Sequence, residues 1–195
     1  MAGAIQDTSP AAIDGWNISW GSGVGLTITQ DTSSGQVDVE KSATFTAQNQ
    51  GLQITFSPAP GSSTTADKFV IPDETIVNNS TAAFGSFSFI LLNKSSTLAT
   101  FDSVAKTFIP PTGPGYDFTT VSLTGGGTIL TYTGTQGIGV TSFWGNGDPS
   151  SAGDNLVIDA PAGADFALKE LSASGSGPGP VVPLPASAWQ SLTGL

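Results

Sequence analysis

The chain has 195 residues and a formal net charge of −10, with 15 acidic side chains against five lysines, no arginine, no histidine and no cysteine. That balance repels phosphate backbones and anionic headgroups and offers no guanidinium fork, which excludes nucleic acid as a partner, while the missing histidines and cysteines remove disulfides, thiolate metal sites and the commonest general base. Only 10% of residues are charged but 38% are hydrophobic, including 11 Phe and four Trp, so the chain holds the core material that disordered sequences lack.

Taken in chain order, "MAGA" before Ile5 resembles an added start codon joined to the remnant of an A-x-A signal-peptidase site, which implies an exported protein. "DGWNISWGSG" (14–23) spaces Trp16 and Trp20 four apart, on one face of a strand. "VGLTITQ" (24–30), "QVDVEK" (36–41), "ATFTAQN" (43–49) and "LQITFSP" (52–58) then alternate with period two, as strands with one buried face do. "SFSFILL" (86–92), "DFTTVSL" (117–123), "TILTYTG" (128–134), "VTSFWG" (140–145), "NLVID" (155–159) and "DFALKEL" (165–171) continue the series. Turn chemistry punctuates it at "SSG" (33–35), "NQG" (49–51), "GGG" (125–127) and "AGD" (152–154). No long segment holds a helical period, and no repeat is evident. About ten to thirteen short strands in one body predict an all-β fold, a two-layer antiparallel β-sandwich of jelly-roll-like or Greek-key form. The body is expected over residues 5–171, followed by a Gly/Ser/Pro linker at 172–182 and a separate tail at 183–195.

Two constellations in the body are candidates for binding. Trp16, Trp20, Tyr116 and Trp144 are aromatics of the kind on which sugar rings stack, with Asn and Asp nearby to fix hydroxyls. Core packing is the more frequent reason for two large aromatics on one strand face. In "GNGDPSSAGDN" (145–155), Asn146, Asp148, Asp154 and Asn155 offer hard oxygens among three glycines, suited to calcium. The stretch does not follow the EF-hand pattern, and Asn, Asp and Gly are also what a plain turn requires. For catalysis, the pairs Asp73 with Glu74 and Asp38 with Glu40 are the available carboxylates. Asp38 and Glu40 alternate with Val37 and Val39, as on a solvated strand face. No nucleophile elbow, phosphate cradle or metalloprotease helix is present, so a non-catalytic protein is expected.

The tail "PGPVVPLPASAWQSLTGL" (178–195) sets a Pro-Leu-Pro step before small residues and Trp189. Its "VPLPASAW" resembles the Leu variant of the PEP-CTERM sorting signal of exported Gram-negative proteins, with Pro183, Leu184, Pro185 and Trp189 as the matching positions. The resemblance covers about the last 30 residues, a "DFALKEL" segment and Gly/Ser/Pro spacer included. It implies a membrane-embedded, exosortase-type processing enzyme as partner. Leu184 stands where that signature has glutamate, and the apolar helix and basic cluster of the family are expected immediately after Leu195.

Two functions follow as expectations. One is a cell-surface or extracellular matrix protein whose sandwich binds carbohydrate or matrix polymer. The other is a structural subunit that assembles with itself through a strand edge or an extended terminus such as residues 5–13.

Overall fold

Alternating apolar and polar residues need a partner layer for the apolar face, and here two sheets supply it to each other. The computed structural model describes residues 5–6, 9–31, 35–63, 65–102, 110–145 and 156–174. The first sheet runs β1 (Ile5–Gln6), β4 (Val24–Asp31), β5 (Gln36–Phe45), β7 (Lys68–Ile71), β15 (Leu156–Asp159) and β10 (Thr100–Phe101). In the same sheet β8 (Asp73–Asn78) lies beside β5, and β14 (Thr141–Gly145) beside β8. The second sheet runs β11 (Thr112–Gly113), β12 (Tyr116–Thr124), β13 (Ile129–Gln136), β9 (Phe84–Asn93), β16 (Phe166–Ser174), β6 (Gly51–Pro58), β3 (Trp16–Trp20) and β2 (Ala11–Ile13).

The result is the two-layer β-sandwich that the alternation predicts, with one departure from pure antiparallel pairing. β5 pairs antiparallel with β4 but parallel with β7 and β8. Its parallel partner is a strand interrupted at Pro72. Asp38 stands opposite Val70 and Lys41 opposite Glu74, so three steps along β5 match four along its neighbour. Proline cannot donate to a ladder, and the extra residue is absorbed where it sits. On the far side Gly145 pairs with Asp73 and Leu156 with Ile71, so β14 and β15 flank the same interruption.

Two expected boundaries differ. Residues 36–41 and 43–49 form one strand that ends at Phe45, because Ser42 takes an outward position and leaves the alternation unbroken. β16 runs to Ser174 rather than stopping at Leu171, with Ser172 opposite Phe87 and Ser174 opposite Phe84. Ser172 is fully buried, since a small side chain fits the inward register set by Phe166, Leu168 and Glu170. The first three residues of the supposed linker therefore belong to the sandwich. At the "GGG" turn, Gly125, Gly126 and Gly127 all have positive φ, which explains three glycines in a row.

The core holds two aromatic clusters. Phe56 and Phe166 stack at 4.8 Å with an interplanar angle of 8°, and Trp16 meets Phe69 and Phe166 edge-on at 5.2 and 6.1 Å. Phe69 comes from the first sheet and the other three from the second, so this cluster joins the layers. The second cluster surrounds Trp144 with Phe87, Phe89, Phe118 and Tyr132. Phe166 is wholly buried, and its replacement by Ala is expected to cost about 3–5 kcal/mol in chemical denaturation, the usual loss for a large aromatic removed from a packed core. A loss below about 1 kcal/mol would mean that the two sheets do not meet at this residue.

Candidate functional site

The aromatic candidates sit mainly inside the sandwich. Trp16 is fully buried and its Nε1 donates to the Ala66 carbonyl at 3.0 Å. Trp144 is also buried, 4.6 Å from the Tyr132 ring, and its Nε1 donates to Ser142 Oγ at 2.9 Å. Ser142 in turn donates to Gln136 Oε1, and Gln136 Nε2 to the carbonyls of Ile76 and Val140. Tyr116 is buried against Gly113, where an added Cβ would fall 2.5 Å from the phenol ring. Trp20 is half-buried and packs on the core. Trp16, Tyr116 and Trp144 take core positions and Trp20 lies half-buried against the core, so the four rings do not together present an open stacking platform to a sugar. Asn146, Asp148, Asp154 and Asn155 lie outside the described residues, as do Pro183, Leu184, Pro185 and Trp189. Among the described residues no group of three or more Asp or Glu is placed to hold a metal ion.

Charge turns up where the alternation calls for apolar side chains. On β5 the inward residues are Val37, Val39, Lys41, Ala43 and Phe45; on β8 they are Glu74, Ile76 and Asn78; on β16 they are Phe166, Leu168, Glu170 and Ser172. Lys41 and Glu74 are register partners on neighbouring parallel strands, and Glu170 faces them from the other sheet. Lys41 Nζ contacts Oε1 of both Glu74 and Glu170. All three side chains are essentially without solvent exposure. The Phe89 ring lies 5.8 Å from the ammonium.

Burial pushes the Glu74 carboxyl well above its ordinary range, against the pull of Lys41 and with the charge of Glu170 adding to the rise. For Lys41 burial acts downward, but the charges of Glu170 and Glu74 outweigh it and the net direction is up. Tyr132 is raised by burial first and by Glu74 second. Two carboxylates against one ammonium place an excess of negative charge in the core, which together with burial works against the ionised form of Glu74. Glu170 Oε2 is buried and makes no hydrogen bond among the described residues. The cluster thus brings together an amine, two carboxyl groups, one of them with a buried oxygen that no described residue bonds, and the Phe89 ring.

The outer face of the same strands carries a different feature. Gly25, Thr27, Glu40, Ser42, Thr75 and Phe143 line a trough of about 520 Å³, floored by the backbone at Leu26, Lys41 and Glu74. Phe143 is 62% exposed, the one strongly exposed aromatic ring among the described residues. A Cβ at Gly25 would fall 2.6 Å from Ser42 Oγ, so glycine keeps this depression open. Asp38, on the same outward register of β5, accepts a hydrogen bond from Gln36 Nε2 at 2.6 Å. Glu40 is exposed, so the expected pairing of Asp38 with Glu40 on a solvated face agrees with their placement.

No family model matches the chain, and no curated protein or solved structure matches it. Its description rests on the geometry: a mixed two-sheet sandwich with an ion cluster between the layers and an open trough on one outer face.

Strand alternation alone held the signal for the buried cluster. "VDVEKSATF" places Lys41 in step with Val39 and Ala43, and "FALKEL" places Glu170 in step with Phe166 and Leu168. Replacing Lys41 with Met leaves two carboxyl groups without their cation and is expected to lower stability by about 3–5 kcal/mol, while Glu40→Gln, one residue away but outward, leaves the denaturation midpoint in place. Equal midpoints for the two variants would show that Lys41 is not the cluster's counter-ion.

Proposed function

We propose that this chain is a non-catalytic module of the bacterial cell exterior, a surface or matrix protein that binds a neutral polysaccharide along the outer face of its first sheet. The observation that carries this reading is Phe143, exposed among the hydroxyls of Thr27, Ser42 and Thr75 and the carboxylate of Glu40. A sugar ring stacks on an aromatic face while its hydroxyls exchange hydrogen bonds with such neighbours, and an open trough suits a polymer better than a small molecule. The net charge of −10 disfavours an anionic polymer and favours a neutral one. Export, and sorting by an exosortase-type enzyme, belong to the same proposal and rest on the likeness of Pro183 to Trp189 to the PEP-CTERM signal.

Self-assembly by strand addition is the second reading. It draws less support, because four of the five strands that end the sheets are short: β1, β10 and β11 have two residues each and β2 has three, against five in β14. Short terminal strands are one of the ways in which sheets discourage edge-to-edge pairing.

Electrophoresis through gels that contain neutral polysaccharides tests the first reading. The wild type is expected to be retarded in at least one gel, and Phe143→Ala to migrate as in a polymer-free gel with its far-UV spectrum unchanged. Retardation that survives Phe143→Ala, or none in any gel, contradicts the reading. Light scattering that grows with protein concentration would favour self-assembly instead.

A further inference from the structure

We infer that Lys41 and Glu74 condense to an intramolecular isopeptide bond between β5 and β8, with Glu170 as the group that moves the proton. The reaction needs an amine and a carboxyl held in contact, a site without water, and a base that can become an acid. Lys41 Nζ contacts Glu74 Oε1, both side chains are buried, and the Phe89 ring stands 5.8 Å from the nitrogen. Contact of this kind replaces a bimolecular encounter by an intramolecular one, which accelerates well-oriented reactions by orders of magnitude. Glu170 reaches Nζ with Oε1 and keeps a second, buried oxygen that no described residue bonds.

The step balances without a cofactor. The charges of Glu170 and Glu74 hold Lys41 toward the ammonium, so the first step is the passage of a proton from the Lys41 ammonium to the Glu74 carboxylate, which leaves a neutral amine and a neutral acid in contact. Nζ attacks Glu74 Cδ to form a tetrahedral adduct. Glu170 takes a proton from the attacking nitrogen and returns it to the hydroxyl on Cδ. That hydroxyl leaves as water, the carbonyl re-forms, and Glu170 ends as it began. One N–C bond forms and one C–O bond breaks, with nothing oxidised or reduced. The rise of the Glu74 pKa through burial is in keeping with the neutral acid that the attack requires.

Glu74 rather than Glu170 is the acylated partner because of where the strands lie. Glu74 is the register partner of Lys41 in one sheet, so the bond joins neighbouring strands. Glu170 comes from the opposite sheet, where its unbonded oxygen suits a relay. The link would join residues 33 positions apart in the chain and replace a buried ammonium and a carboxyl by a neutral amide.

Intact mass under denaturing conditions reads the bond directly. The wild type is expected to be lighter than its sequence by one water, whereas Lys41→Met and Glu74→Ala show their full sequence masses. Glu74→Gln should arrive at the wild-type mass, because ammonia leaves in place of water, a result that a purely structural role for Glu74 does not produce. Glu170→Gln should fold, by its far-UV spectrum, and keep its full mass. Trypsin then locates the link: an acylated Lys41 resists cleavage, so peptide 1–68 is expected joined to peptide 69–94. Wild type at its full sequence mass overturns the bond, and a join to peptide 170–195 overturns the assignment to Glu74. Loss of water in Glu170→Gln overturns the relay. Should Glu170→Gln not fold, the wild-type mass and digest still decide whether the bond forms and where.

Discussion

Everything in this sandwich has to accommodate three ionisable side chains at positions where strand alternation calls for apolar ones. Lys41, Glu74 and Glu170 point into the space between the sheets, and none of them reaches solvent. Taking such groups out of water costs several kcal/mol per ion, which mutual contact recovers only in good geometry. Here the geometry comes from the backbone. The parallel pairing of β5 with β8 sets Lys41 beside Glu74, and the packing of β16 across the core brings Glu170 onto the same nitrogen. The interruption at Pro72 matters for this reason: if the extra residue were paired in regular register instead of being absorbed there, Asp73 would stand opposite Lys41, and Glu74 would turn to the other face.

The two faces of β5, β8 and β14 divide the chemistry between them. Inward, Lys41 and Glu74 sit beside an aromatic cluster that includes Phe89, Tyr132 and Trp144. Outward, Glu40, Ser42, Thr75 and Phe143 face solvent around the gap left by Gly25. A one-residue slip of any of these strands would bury the trough residues and expose the charges, so one register decides both features.

Much of the fold was legible because alternation is a local property. β4, β6, β9, β12, β13, β14, β15 and β16 fall where period two places them, within a residue or two at either end, apart from the three extra residues of β16. β7 and β8 were missed, since "KFVIPDETIVN" carries a proline in its middle and its partner β5 is reached only through tertiary pairing. The same pattern that revealed the strands also held the buried cluster. Reading "VDVEK" for its outward Asp38 and Glu40 draws attention away from Lys41, the inward member of the run. Trp16 and Trp144 look like sugar platforms in a linear sequence because nothing there tells an inward ring from an outward one; Phe143, adjacent to Trp144, is the ring that alternation turns to solvent. No local signal could have placed Glu170 against Glu74, because they come from different sheets.

The central claim is that Lys41 and Glu170 act as one unit across the two layers. A double-mutant cycle with Lys41→Met, Glu170→Leu and the pair, followed by chemical denaturation, measures that coupling directly. The account predicts strong non-additivity, about 1–3 kcal/mol, with the double variant less damaged than the sum of the single ones. Additivity within about 0.5 kcal/mol would show that the two residues do not sense each other, and would contradict the account.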